Sequence, residues 1–94
     1  MSPPANREAA ELRDQYNELA IRANTARAGL RSFEQQQSRQ GLGLRADIRE
    51  AQTRLDYQLQ EAMSSLQSGD MEGTRRNLRY AQSAVETIEK FLGR

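Results

Sequence analysis

The sequence predicts an all-α protein, an antiparallel up-down-up three-helix bundle of the coiled-coil type with a long first helix. Three observations predict it: apolar residues recur at steps of three and four in three successive stretches, glycine-containing breaks separate the stretches, and no stretch alternates apolar and polar residues as a strand would. We expect helices at residues 4–39, 44–67 and 71–92, within one domain formed by residues 1–94.

The first stretch has a regular seam, meaning apolar positions that repeat along one side of a helix. Its steps alternate between four and three residues without interruption, which is the spacing of a heptad repeat. The seam consists of Ala5, Ala9, Leu12, Tyr16, Leu19, Ala23, Ala26, Leu30 and Phe33. Pro3 and Pro4 suit the first turn of a helix. We therefore expect one helix of roughly 35 residues, about 50 Å long at 1.5 Å per residue.

The second and third stretches have seams of the same kind. The second seam consists of Leu44, Ile48, Ala51, Leu55, Leu59, Ala62 and Leu66. It shifts by one residue in the middle of the helix, a local departure from strict heptads. The third seam consists of Met71, Thr74, Leu78, Ala81, Val85, Ile88 and Leu92. Between them, Gly69 is expected to close the second helix and Asp70 to cap the third.

The segment SRQGLGLR, residues 38–45, is a glycine loop with two possible interpretations. A phosphate-binding loop of the dinucleotide type needs a preceding strand and a third glycine, and a P-loop needs Gly-Lys-Ser/Thr. Neither pattern is present, which favours a turn in which Gly41 caps the first helix and the second begins near Gly43. The alternative is an anion site at the start of the second helix, held by Arg39, Arg45 and Arg49.

The composition removes several classes of function. The sequence has no cysteine and no histidine, so disulfides, thiolate nucleophiles and the usual general base and metal ligand are absent. The carboxylates are scattered over the helix faces, so we expect no catalytic activity, no cofactor and no bound metal ion. No apolar run approaches about 18 residues and no signal peptide is visible, so no membrane span is expected and the cytoplasm is the default compartment.

In length and in its central turn, the chain is similar to small secreted helical-hairpin proteins of the WXG type. Tyr57 and Glu61 have the Tyr-x-x-x-Glu spacing of the export signal in that family, although they fall inside a predicted helix rather than in a tail. The tryptophan of the family's turn is absent, since Leu42 and Gly43 stand in its place, and the third helix is additional.

The basic residues suggest two interpretations of the charge. Thirteen of the fourteen are arginine, a composition compatible with an electrostatic binder of nucleic acid or another polyanion through Arg39, Arg45, Arg49, Arg75 and Arg76. However, the net charge is only +1, and no aromatic residues alternate with the arginines to stack on bases. The pattern therefore favours a protein partner over nucleic acid.

Ion pairs between helices are the other interpretation of these charges. A turn centred near residues 41–42 places Arg22 opposite Glu61, Arg27 opposite Asp56 and Arg49 opposite Glu34. The second turn then brings Arg75 near Glu18 and Lys90 near Glu34. Pairs of this kind fix the register of packed helices.

The function that the pattern favours is a non-catalytic helical module for protein–protein interaction or oligomerisation, part of a larger assembly or a longer protein. The register above sets Met71 beside residue 15, so residues 5–14 should project beyond the bundle. Their seam would then be uncovered and free to contact a second copy or another helix. The predicted partner-binding residues are Ala5, Ala9, Leu12, Tyr16 and, on the outer face of the same helix, Ile21.

Overall fold

The computed structural model describes residues 4–39, 41 and 43–93, which contain three helices and no strand. Helix α1 spans Pro4–Arg39, α2 spans Ala46–Gln67 and α3 spans Met71–Phe91. The helices pack against one another as a three-helix bundle, which confirms the predicted fold class. The molecule measures 58 × 19 × 17 Å. Its length is set by α1, which spans about 54 Å at 1.5 Å per residue.

The predicted seams meet in the core. Side chains that are buried in one cluster are Leu12, Leu19, Ala23, Ala26, Leu30, Leu44, Ile48, Ala51, Leu55, Leu59, Ala62, Leu66, Leu78, Ala81, Ala84, Val85 and Ile88. Helices α2 and α3 pack most extensively against each other, and α1 contacts α3 more than α2. Helix α1 contributes small side chains such as Ala23 and Ala26 to the core. It therefore buries less side-chain volume against the hairpin formed by α2 and α3.

The α2–α3 turn follows the prediction closely. Gly69 has a φ of +81°, a backbone conformation that glycine adopts without steric cost. Its N–H donates to the Leu66 carbonyl, and the Asp70 N–H donates to the Ser65 carbonyl at 2.9 Å, the paired bonds of a Schellman motif. Asp70 then caps α3, because its Oδ1 accepts a hydrogen bond of 2.9 Å from the Gly73 N–H.

The α1–α2 connection differs from the prediction. Gly41 does end α1, with a φ of +75° and an N–H that donates to the Ser38 carbonyl. However, α2 begins at Ala46 rather than at residue 44, because Arg45 has an extended backbone. Leu44 precedes the helix and is nevertheless buried in the core, so a loop residue completes the seam that the sequence assigned to the helix. Leu42, which the sequence places in this turn, lies outside the described residues.

Candidate interaction surface

The prediction that the N-terminal seam of α1 projects uncovered beyond the bundle is wrong at its two described seam positions, Ala9 and Leu12. Leu12 is only 3% exposed, and the half-buried Ala9 packs against the core. The first turn of α3 therefore lies closer to the N-terminus of α1 than the predicted register places it. Met71 packs against the core from this position. The side chain of Ala5 lies outside the described part of the chain.

The ion pairs between α1 and α3 show this difference from the predicted register. Arg75 pairs with Glu8 instead of Glu18, so α3 reaches farther toward the N-terminus of α1 than the predicted register allowed. Arg22 pairs with Glu89 of α3 at 2.6 Å, and not with Glu61 of α2. Both pairs join residues 67 apart in the sequence, whereas the rings of Phe33 and Phe91, whose centroids are 4.8 Å apart, are separated by 58 residues. The long side chains of the ion pairs therefore extend along the helices beyond the positions directly opposite.

The hydrogen bond from Arg22 to Glu89 raises the pKa of Arg22 above the ordinary arginine value. The stability that this charge contributes is therefore fully present below the ordinary arginine pKa. It is lost only as the pH rises through the raised pKa, so the pair holds throughout the physiological range.

Between α1 and α2 the predicted register is confirmed at one pair. Arg27 binds Asp56, with its Nε donating to Oδ1 at 3.0 Å, and its Nη1 donates to Asn24 Oδ1 at 2.8 Å. Arg49 and Glu34 line one shallow groove, but no ion pair within 4 Å joins Glu34 to Arg49 or to Lys90, all of which are described.

The five arginines proposed to bind polyanions fall into two groups. Arg45 pairs with Asp47 and stacks over the ring of Phe91 at 5.0 Å, at one end of the bundle. Arg75 and Arg76 lie near the other end, about 24 Å along α3 from Phe91 at 1.5 Å per residue. Two of the five, Arg45 and Arg75, are engaged in ion pairs. The set does not form one basic surface.

Arg39 and Arg49 do lie near each other, around the α1–α2 turn. Arg39 lines a shallow groove with Glu34 and Ser38, and Arg49 lines the neighbouring groove with the same two residues. The start of α2 has no side-chain cap, but the carboxylate of Asp47 lies in its first turn and already complements the helix dipole.

An open groove of about 690 Å³ runs between α1 and α2, and we call it the α1–α2 groove. Its apolar lining consists of Tyr16, Ala20, Leu59 and Met63. Its uncharged polar lining consists of Asn24, Gln60, Ser64 and Gln67. The remaining lining residues, Arg27 and Asp56, neutralise each other. Tyr16 is thus a predicted partner-binding residue that the structure places in a surface groove and leaves half-buried.

Ala20 and Met63 are not among the predicted partner-binding residues, although their spacing in the sequence indicates that they lie beside the seams. Each follows a seam residue by one helical turn, Ala20 after Tyr16 and Met63 after Leu59. Both side chains are half-buried. An apolar residue one turn beside the seam widens the apolar side of a helix, and here it does so on both walls of the same groove.

The outer face of α1 borders the α1–α2 groove. Ile21 is 66% exposed, as its heptad position predicted. Most of the other exposed side chains at helical steps around it are uncharged, with Glu18, three residues before it, as a charged exception. Together with Ile21, the uncharged ones form what we call the neutral α1 face: Asn17, Ile21, Asn24, Thr25, Ala28 and Ser32. Asn24 belongs to both surfaces, so the two form one continuous area.

The described residues give little support for a metal site or a membrane span. They contain no group of three or more His, Cys, Asp or Glu residues placed to hold a metal ion. Among them no helix carries an apolar stretch sufficient to cross a bilayer. Tyr57 lies on α2 one turn before Glu61 and is exposed. Comparison with protein-family models, with curated proteins and with solved structures finds no match for this chain.

Proposed function

We propose that this chain is a non-catalytic helical interaction module that binds protein through the α1–α2 groove and the neutral α1 face. One observation carries the proposal: these two surfaces are continuous, and the charges without an ion pair, Asp14, Glu18 and Arg31, lie only at their borders. Charged residues make up 29% of the sequence, so a neutral area of this extent is unusual within it. Depletion of charge, with tyrosine and methionine present, is typical of the centre of a protein interface.

The proposed interface lies away from the N-terminal end of α1. Leu12 and Ala9 belong to the core, while Tyr16 and Ile21 remain as interface residues and are joined by Ala20 and Met63. The five arginines of the polyanion-binding alternative give it less support, because they lie at two ends of the bundle and two of them are engaged in ion pairs.

Site-specific photo-crosslinking in cells tests this proposal. A benzoylphenylalanine placed at Met63 should cross-link to one defined protein, whether another chain or a second copy, that mass spectrometry can identify. The matched control is Tyr57, which is 57% exposed on the same helix but about 120° around its axis from Met63. The cross-link should disappear when Ala20→Arg puts a charge into the groove. Equal products at both positions, or none at Met63, would refute the proposal.

A further inference from the structure

We propose that the occupant of the α1–α2 groove is an amphipathic helix of a different protein, which lies between α1 and α2 as a fourth helix for about three turns. The inference rests on the proposed function, because it names the kind of partner that the groove receives. It is carried by the backbone of the groove walls, by the size of the groove, by its charges and by the surface that a second copy of this chain exposes.

The walls of the groove are helical, and this determines which kind of backbone can enter it. The lining residues lie between residues 16 and 27 of α1 and between residues 56 and 67 of α2. Before the last turn of α2, these segments lie inside their helices, where backbone N–H and C=O groups already bond within the helix. An extended peptide would find no backbone partners there, and its polar groups would depend on a few side chains such as Asn24 and Gln60. A helix bonds its own backbone and needs no such partners.

The length and the volume of the groove correspond to about three turns of helix. Each wall advances by 11 residues, from 16 to 27 on α1 and from 56 to 67 on α2, which is about 17 Å at 1.5 Å per residue. A helix of that length and about 10 Å in diameter occupies about 1,300 Å³. The groove holds about 690 Å³, roughly half of that volume. One side of the occupant therefore lies in the groove and the other in water, as an amphipathic helix requires.

The charges of the groove define the side of the helix that enters. The two charged lining residues, Arg27 and Asp56, bind each other, and the other lining residues are apolar or uncharged. A charged side chain buried here would lose its hydration without gaining a countercharge, which costs free energy. The entering side therefore carries an uncharged stripe, with apolar residues at steps of three and four that pack against Tyr16, Leu59 and Met63.

The chain itself does not expose such a stripe. Among the described residues, the exposed large hydrophobic side chains are Ile21, Tyr57 and Tyr80, one on each helix. The described seam residues already pack in the core. Any one helix of a second copy would therefore bring a single large apolar side chain to a groove about three turns long. A helix of a different protein, whose apolar side is not already buried, fits the groove better.

Residue-level mapping of photo-cross-links in cells tests the helix. Benzoylphenylalanine is placed at Gln60 in one variant and at Gln67 in another, both of them exposed lining residues of α2. The two positions are about 10.5 Å apart along α2, so the attachment sites on a helical partner should be about seven residues apart in one segment. On an extended segment they would be about three residues apart. A separation of three, or attachment to unrelated segments or to a second copy of this chain, would overturn the inference.

A synthetic peptide of the mapped segment gives a second test with the purified full chain. Its fluorescence anisotropy should rise on binding, and circular dichroism of the mixture should show more helix than the two components separately. Ala20→Arg and Ser64→Arg each put a charge into the groove and should weaken binding about 30-fold or more. Ser64 is exposed, so the variant should keep its helicity. Tyr57→Arg, on another side of α2, should leave the affinity unchanged.

Binding that brings no gain of helix, or that survives both groove changes, would overturn the inference. The outcome for the proposed function is separate. If Met63 cross-links to no protein, the proposed function falls and the helix with it. If Met63 cross-links to a second copy of the chain or to an extended segment, the proposed function stands and only the helix falls.

Discussion

Replacing Gly73 by alanine tests whether the cap at the start of α3 depends on the absence of a β-carbon. The Gly73 N–H donates to Asp70 Oδ1, and the three atoms nearest to an added β-carbon all belong to the Asp70 side chain. One of them, Cγ, would lie 2.8 Å from that carbon, closer than real contacts allow. Alanine at position 73 should therefore push the Asp70 carboxylate out of its capping position.

Two opposing free energies decide the size of the effect. Alanine stabilises a helix interior by about 0.8–1 kcal/mol relative to glycine. Loss of an N-cap hydrogen bond costs about 1 kcal/mol, within a range of about 0.5–2. Gly73→Ala in the wild-type chain should therefore change stability by an amount between a gain of about 0.5 kcal/mol and a loss of about 1 kcal/mol. In an Asp70→Ala background, where there is no cap to lose, the same change should stabilise the protein by about 0.8–1 kcal/mol.

Urea unfolding followed by circular dichroism at 222 nm measures this cycle, since the four free energies of unfolding give the coupling directly. The expected coupling is about 1 kcal/mol. An Asp70→Asn background is the matched control, because it retains the accepting oxygen and the shape of the side chain but removes its charge, and it should keep most of the coupling. Equal stabilisation by Gly73→Ala in all three backgrounds would refute the reasoning.

Three further changes have defined outcomes in the same unfolding assay. Leu55→Ala should cost about 2–5 kcal/mol because the side chain is fully buried, whereas Tyr57→Ala on the surface should change stability by less than about 0.5 kcal/mol. Gly69→Ala should cost about 1–2 kcal/mol, since its positive φ strains any residue with a β-carbon; no loss would mean the turn rearranges. Arg27→Asp should be partly rescued by Asp56→Arg, with a coupling of up to about 1 kcal/mol that decreases in high salt; zero coupling at low salt would contradict the observed pair.

The helices and the α2–α3 turn could be predicted because their signals are local. Heptad spacing fixes which side of each helix is buried, and Gly69 followed by Asp70 supplies a residue suited to positive φ and then a capping carboxylate. The Arg27–Asp56 pair was also predictable, because a single turn near residues 41–42 determines which residues of α1 and α2 lie opposite each other.

The register of α1 against α3 could not be obtained in the same way. That register depends on the geometry of both connections, so a small error at either turn shifts it, as the Arg75–Glu8 pair and the buried Leu12 show. The α1–α2 groove escaped prediction for a related reason. Two of its lining residues, Ala20 and Met63, lie beside the seams. The sequence does not show that they line one groove until α1 and α2 are placed next to each other.

The unequal packing of the helices bears on how the chain folds during synthesis. Helix α1 leaves the ribosome first, yet its buried side is completed only by α2 and α3, which pack mainly against each other. At about 5–20 residues per second, the rest of the chain takes a few seconds to emerge. An isolated helix is only marginally stable in water, so α1 spends that interval with an apolar seam exposed. We therefore expect the α2–α3 hairpin, built from contacts close in sequence, to form once it emerges and α1 to dock onto it afterwards.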